Sequence, residues 1–330
     1  MARDTALNNK VELRPLTSLR FVAALEVVLF HTTMFGPWGS GGYAAVSFFF
    51  VLSGFILTHV YARTGAPSFR FWRLRFARLA PAYGLGLLIA LPGFAYSALV
   101  AKILPMPEFL TSALLVPTMQ QAWWPPLALA WNGPAWSLSV EFFFYALFPW
   151  ILPFSARVRP AVFVAGAVAL LVVVAALRFA LPPSNFTKYF PLLHLPLFLF
   201  GIGLSRLFLV WTPPARLLWV GLGGVVLIFA ASKPSLQSDA LLAPLFGLVI
   251  LGGATSRLRL LHHRVAVLLG EASYSLYILH MPLMWWWIKA TGPITSYTVG
   301  PYLVLAVAAS VLAYRFVELP LRSRLAPSGR

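Results

Sequence analysis

The chain contains no cysteine, and only 8 of its 330 residues are acidic. The first absence excludes a disulfide framework, a thiolate metal site and a cysteine nucleophile, and it leaves the compartment open. The second sets 8 Asp and Glu against 25 Lys and Arg, a formal net charge of +17. Charge of either sign is nevertheless sparse, at 10% of residues, while 60% are hydrophobic and the mean hydropathy is +0.83. That balance excludes an ordinary soluble domain. The basic residues stand in short clusters between apolar runs, with no basic domain or tail, so they form no nucleic-acid footprint. Internal repeats and low-complexity tracts are also lacking. The first sixteen residues are polar, and the apolar run after them holds three ionisable groups and no small-residue cleavage site. It reads as a retained anchor rather than a signal peptide.

What the chain has in abundance is long apolar sequence. Windows of about twenty residues, each enough to cross the hydrocarbon core as a helix, fall near 16–35, 42–62, 78–101, 135–155, 161–181, 190–209, 215–232, 239–255, 267–290 and 297–320. The expected fold is an all-α integral membrane protein, a bundle of about ten transmembrane helices forming one membrane-embedded domain over 1–330, with short tails at 1–15 and 321–330. Proline and glycine inside several windows are tolerable where neighbouring helices satisfy the freed backbone groups.

With ten spans both termini share one side. That side carries every Lys and Arg except Lys102, Arg178, Lys188, Lys233 and Lys289. Positive charge accumulates on cytoplasmic loops, so both termini are expected in the cytoplasm. The tryptophans at 123–124 and 285–287 then reach the outer interface, where aromatic belts form. Residues 102–134 make an outer loop with six prolines, either a lid or re-entrant element or a stiffened loop resting on the headgroups.

Ionisable side chains in a span are costly and therefore candidates for function. The first window, "TSLRFVAALEVVLFH", holds Arg20, Glu26 and His31. Arg20 and His31 are eleven residues apart, about three turns, so they share a face roughly 16 Å apart. Ala24 and Val27 lie between them and leave room for an extended ligand. Glu26 points about 120° away and is expected to pair with a neighbouring helix. The bland reading is that Arg20 snorkels and His31 satisfies a buried hydrogen bond.

Two more clusters favour a site. In "RFWRLRFARLAP", Arg75 and Arg78 share a helical face, and their forks suit phosphate at the cytoplasmic end of the third span. In "WSLSVE", Glu141 matches His31 in depth, and a buried carboxylate near an imidazole can orient the ring and raise its basicity. Cationic groups at the cytoplasmic face, a base in the outer half and roughly 16 Å between them suit a thin ligand with a phosphate head, such as the pantetheine arm of an acyl-CoA.

The chain resembles acyltransferase family 3, integral membrane enzymes that decorate bacterial glycans and other exported molecules. The resemblance runs through "LTSLRFVAALEVVLFH", "SFFFVLSGF" at 47–55, "RLRFARLAP" at 73–81, "WSLSVEFFFY" at 136–145, "SYSLYILHMPL" at 273–283 and "VELP" at 317–320. It implies acyl-CoA binding by Arg20, Arg75 and Arg78, and acyl-transfer chemistry at His31 with Glu141. Many members carry a glycine and an acidic residue just before the Phe-Phe run, where this chain has Ala45 and Ser47. Some carry a periplasmic SGNH domain; with about ten residues after the tenth span none is expected here, and the membrane domain is expected to hand the acyl group directly to its acceptor.

Tyr274, Tyr277 and His280 step along the ninth span and are candidate substrate contacts, although such a stripe is more often packing. Trp131 and Trp136, near Trp123 and Trp124, could stack on sugar rings or form an interface belt. Ser53 and Gly54 suit close helix contact. His59, His194, His262 and His263 have no spacing for a metal, and none is expected.

The expected activity is transfer of an acyl group, acetyl in the first instance, from cytoplasmic acyl-CoA to a sugar hydroxyl of an exported polysaccharide or lipid-linked glycan, at the bacterial inner membrane. His31 would act as general base or carry the acyl group transiently. The alternative is a proton-coupled transporter or flippase, in which Arg20, His31 and Glu141 form a relay; such proteins usually show repeat symmetry, and none is visible here. The acceptor, the chain length of the donor and the oligomeric state leave no mark in the sequence.

Overall fold

The computed structural model describes residues 13–34, 41–64, 69–231 and 238–326. The ends of the expected tails, 1–12 and 327–330, lie outside the described residues, as do Arg3, Lys10, Lys233 and Arg330. Among the described residues there is no strand. Helix α1 (Arg14–Thr32) is followed by α2 (Gly42–Tyr61), α3 (Phe69–Leu99) and the short α4 (Met106–Leu115). Then come α5 (Trp136–Ala156), α6 (Pro160–Ala180), the one-turn α7 (Asn185–Tyr189), α8 (Leu195–Val210), α9 (Leu217–Ala231) and α10 (Asp239–Ala254). The chain closes with α11 (Arg259–His262), α12 (Arg264–Glu271), α13 (Ser273–Thr291), α14 (Val299–Ala313) and α15 (Leu319–Leu325). Residues 321–325, expected as tail, are therefore helical.

Among the described residues seven helical stretches are long and apolar enough to cross a membrane, and α9 and α10 are shorter apolar helices. This is the architecture of a multi-pass membrane protein. Large apolar side chains such as Phe179, Leu227, Val304 and Phe316 are exposed on the bundle surface, as a lipid solvent allows. Helix α13 falls outside the seven; its sequence SYSLYILHMPLMWWWIKAT mixes hydroxyls, an imidazole and indoles into the span.

Small residues set the closest crossings. A Cβ on Gly54 of α2 would overlap the carbonyl oxygen of Phe198 on α8, and one on Gly201 would overlap that of Val51 on α2. The two glycines thus let the backbones touch from both sides. Prolines within helices leave the carbonyl four residues back without its N–H donor, and side chains from neighbouring helices supply replacements. Trp72 Nε1 donates to the Tyr145 carbonyl, 3.0 Å, freed by Pro149. Asn132 Nδ2 donates to the Ile278 carbonyl, 3.0 Å, freed by Pro282.

The loop after α3 divides: its first part, with α4, is largely exposed, whereas from Val116 on it packs into the bundle. Val116, Gln121, Ala122, Ala128 and Asn132 are buried, the Val116 carbonyl accepts from Tyr83 Oη at 2.5 Å, and Gln121 Nε2 donates to Ala135 O at 2.9 Å. The outcome is that α1, α2, α3, α5 and α13 meet around a polar interior.

Candidate active site

Helix α1 carries both Arg20 and His31, but only Arg20 lines a cavity. Arg20 lines a cavity of about 130 Å³ together with Arg75 and Arg78 of α3, Glu141 of α5, and Tyr274 and Tyr277 of α13. Six of the expected site residues, drawn from four helices, therefore converge. Ala24 leaves no room in this cavity: it is closed over within a cluster that includes Leu276 and Tyr302. The space runs instead along Phe49 and Ser53 of α2.

The arginines are held in different ways. Arg78 Nη1 lies 3.9 Å from Glu318 Oε1, and Ser275 Oγ donates to Glu318 Oε2 at 2.9 Å. Glu318 is fully buried and sits in a π-helical turn, Tyr314–Glu318, between α14 and α15. The extra residue of such a turn shifts the phase of everything after it, a feature common at functional sites. Arg75 rests over the rings of Tyr61 and Phe71, 5.9 and 5.8 Å from their centroids, and its Nε is buried without a hydrogen-bond partner. Arg20 and Arg75 have no carboxylate within salt-bridge range among the described residues. A cavity lined by three guanidiniums, two of them without a carboxylate partner among the described residues, suits an anionic group such as phosphate.

Glu141 does not reach His31. Its Oε1 accepts from Ser53 Oγ at 3.1 Å and from Tyr145 Oη at 2.5 Å, at the arginine end. Matching depths along two straight helices suggested a Glu141–His31 pair; the side chain instead turns along α5 toward Tyr145, one turn on. The partner on the His31 ring is His280.

That contact determines the proton positions. His280 Nδ1 lies 2.7 Å from the Tyr277 carbonyl oxygen, which can only accept, so Nδ1 carries a hydrogen and Nε2 has a lone pair. His31 Nδ1 lies 2.8 Å from the Val27 carbonyl and 3.2 Å from His280 Nε2. Both neighbours accept, so His31 Nδ1 is protonated as well. On a neutral ring the lone pair then falls on the remaining nitrogen, His31 Nε2. A ring whose tautomer is locked by backbone and second-residue contacts is prepared to take a proton at one defined atom.

Tyr277 links the two regions. It lines the arginine cavity, its ring lies 6.2 Å from that of His280 and 6.1 Å from that of Phe49, and its hydroxyl lies 2.9 Å from Pro134 O and 2.6 Å from Ser137 Oγ. Tyr274 Oη donates to Leu79 O at 2.8 Å. Trp131 lines a second cavity. Trp136 lines neither: it is buried among Phe50, Tyr189 and His194, with ring centroids 6.1, 5.1 and 5.2 Å away. Its role is packing, because the first turn of α5 points it toward α7 and α8 rather than toward α13.

Glu26, set aside on angular grounds, accepts from the Gly41 amide at 3.0 Å where α2 begins. Two functional-looking groups escaped the sequence reading. Glu318 lay within the quoted "VELP" but had no partner until the π-turn was seen. Asp239 forms a buried pair with Arg178, 2.7 Å, and accepts from Ser47 Oγ at 2.6 Å. A carboxylate is thereby delivered from α10 to the position before the Phe-Phe run. An acidic residue in or at the end of an apolar helix is the signal that would have found both. Among the described residues no group of three His, Cys, Asp or Glu could hold a metal ion.

The structure is a helical membrane bundle with an arginine-lined cavity; His31 and His280 line neither cavity, and Tyr277 stands between them and the arginines. A family model described as an acyltransferase domain matches residues 16–315, and the chain belongs to that family, acyltransferase family 3. It is similar to acyltransferase MdmB of Streptomyces mycarofaciens, 34% identical over 254 residues, 70% of this chain and 62% of that protein. It is also similar to O-acetyltransferase OatA of Staphylococcus aureus, 24% identical over 355 residues, 94% of this chain and 57% of that protein. Protein 2 in the picA locus of Rhizobium radiobacter is 33% identical over 192 residues, 50% of this chain and 94% of that protein. The chain thus spans less than two thirds of the length of MdmB or OatA. No solved structure matches it.

Proposed function

We propose that the protein is an acyl-CoA-dependent O-acyltransferase of the bacterial cytoplasmic membrane. It moves an acyl group, acetyl by analogy with the O-acetyltransferase relative, from cytoplasmic acyl-CoA to a hydroxyl of a sugar in an exported polysaccharide or lipid-linked glycan. The reading includes ten spans with both termini cytoplasmic, α9, α10 and α13 joining the seven longer apolar stretches. It also takes 1–330 as one membrane domain that acts on the acceptor directly.

The observation that carries the reading is the pair of contacts at His31 Nδ1, to the Val27 carbonyl and to His280 Nε2, which place the free lone pair of the neutral ring on Nε2. Arg20, Arg75 and Arg78 hold the phosphates of the donor, and its pantetheine arm runs past Tyr277 toward His31. Nε2 takes the proton of the acceptor hydroxyl as its oxygen bonds to the thioester carbonyl carbon. The C–S bond breaks, and the thiolate leaves with the proton from Nε2. The acceptor gains an ester and free CoA is released. His280 stabilises the transient imidazolium by accepting from Nδ1–H. Glu141, held by Ser53 and Tyr145, borders the donor path.

The test is transfer of radiolabel from acetyl-CoA to glycan by the protein in nanodiscs. Transfer by wild type and its loss in His31→Gln, with the variant still folded, is expected. Equal transfer by both proteins overturns the assignment of the base. Movement of glycan across proteoliposomes without acyl-CoA, and no acyl transfer, points to a transporter instead.

A further inference from the structure

The arginine cavity and the histidine pair are neighbours that do not join. On α2 the cavity lining runs from Leu57 to Val46, about three turns. Arg75, over the Tyr61 ring, marks the Leu57 end. Phe49, Phe50, Ser137 and Tyr277 line the other end, and neither His31 nor His280 lines the cavity.

The direct route, along α1 from Arg20 to His31, is filled. Ala24 and Val28 are fully buried in a cluster with Leu276 and Tyr302, and Tyr302 Oη donates to the His280 carbonyl at 2.8 Å. A wall packed in this way has no room to yield. A second route is closed by rings alone. Tyr277 lines the cavity on one side and faces His280 on the other, ring centroids 6.2 Å apart. Phe49 meets the Tyr277 ring edge-on, at 6.1 Å and 71°.

This second barrier is built to move. Phe49 is partly buried and packs against both hydrophobic clusters of the described residues, so it sits at a seam between them. Tyr277 is held by its hydroxyl, which donates to Pro134 O at 2.9 Å and lies 2.6 Å from Ser137 Oγ. Helix α13 is weakened at the next residue, because Pro282 offers no N–H to the Ile278 carbonyl and Asn132 Nδ2 takes its place. The Tyr277 carbonyl also accepts from His280 Nδ1 at 2.7 Å. A displacement of Tyr277 is therefore passed to the histidine pair.

We infer that Phe49 and Tyr277 form a movable septum, closed in this structure, that separates the donor cavity from His31 and parts to let the acyl group through. The inference rests on the acyl-CoA reading for what passes. It adds an order of events: the donor phosphates settle on the arginines behind closed rings, and the thioester meets His31 only after the rings part.

The chain has no cysteine, so one introduced thiol reports on access. His31→Cys, in right-side-out and in inverted membrane vesicles, is treated with a membrane-impermeant methanethiosulfonate that carries a sulfonate, an anion suited to the arginine cavity. Labelling is read by mass spectrometry of the purified protein. From the side that bears the termini, adding Phe49→Ala is expected to speed labelling about tenfold or more, as the closed population falls. Tyr277→Phe keeps the ring and removes both hydroxyl bonds, and it is expected to speed labelling about fivefold; it decides the matter should Phe49→Ala fail to fold. Labelling from that side at one rate in the parent and in both septum variants overturns the inference. Acetyl-CoA binding by wild type is measured separately. Its failure contradicts the donor reading, whereas faster labelling in the variants still upholds the septum.

Discussion

His31 Nδ1 stands 3.2 Å from His280 Nε2 and 2.8 Å from the carbonyl oxygen of Val27. One N–H serves two acceptors, one a side chain and the other backbone. Removing His280 therefore leaves the Val27 carbonyl to hold the tautomer. His280→Ala is expected to lower kcat for acyl transfer by about tenfold, far less than the roughly 10²–10⁴-fold attached to loss of a general base, which is expected for His31→Gln. Comparison of kcat in the two variants checks the order; equal losses would make His280 a second obligatory group.

Glu318 pairs with Arg78 at the arginine-lined cavity while remaining fully buried. Glu318→Gln keeps an acceptor for Ser275 but removes the negative charge. The expected result is a loss of about 1–3 kcal/mol in stability, as for a disturbed buried hydrogen bond, together with a lower KM for acyl-CoA, because Arg78 becomes free to take phosphate. Thermal unfolding and steady-state kinetics on the same protein separate the two effects.

Arg75 keeps its guanidinium over two aromatic rings, with Nε unsatisfied. Arg75→Ala should raise the Kd for acetyl-CoA by about 10–100-fold, the equivalent of one or two hydrogen bonds to a charged group. Arg75→Lys should recover only part, since an ammonium lacks the fork. Isothermal titration with acetyl-CoA and with dephospho-CoA shows whether the loss belongs to a phosphate contact.

The Arg178–Asp239 pair is buried at both ends. Asp239→Ala removes the carboxylate that compensates the buried Arg178 charge and should cost about 3–5 kcal/mol, read as a large fall in Tm. Asp239→Asn, which still bonds Ser47, should fall between. Arg178 thus serves as an interior group and carries no loop charge, although it counted as an outer-side cation in the topology argument.

Glycine crossings give a contrasting stability test. At Gly201 an added Cβ meets the Val51 carbonyl, a backbone atom that cannot swing aside. Gly201→Ala should lower stability by about 1–3 kcal/mol through overpacking, whereas Gly166→Ala, where a Cβ meets nothing within 4 Å, should leave Tm unchanged.

Much of the site was legible because helix periodicity converts spacing into direction. Arg20, Arg75, Arg78, Tyr274 and Tyr277 line one cavity, whereas His31, eleven residues along α1 from Arg20, lies outside it. Depth was a weaker guide than direction: it matched Glu141 to His31, whereas the carboxylate is held by Tyr145, its i+4 neighbour. His280 was visible as one step of a stripe, but its contact with α1 depends on how α13 packs. Glu318 was hidden by a π-turn, which adds a residue that no 3.6 periodicity anticipates. Asn132 was hidden because its bond answers a carbonyl freed by Pro282, far away in sequence.

The most direct test of the central claim is single-turnover transfer from radiolabelled acetyl-CoA in nanodiscs, comparing wild type, His31→Gln and His280→Ala, each with bound acetyl-CoA quantified. Normal donor binding in all three, with acyl transfer abolished in His31→Gln and only slowed in His280→Ala, is the expected result. Transfer by His31→Gln at the wild-type rate would contradict the assignment of His31 Nε2 as the base.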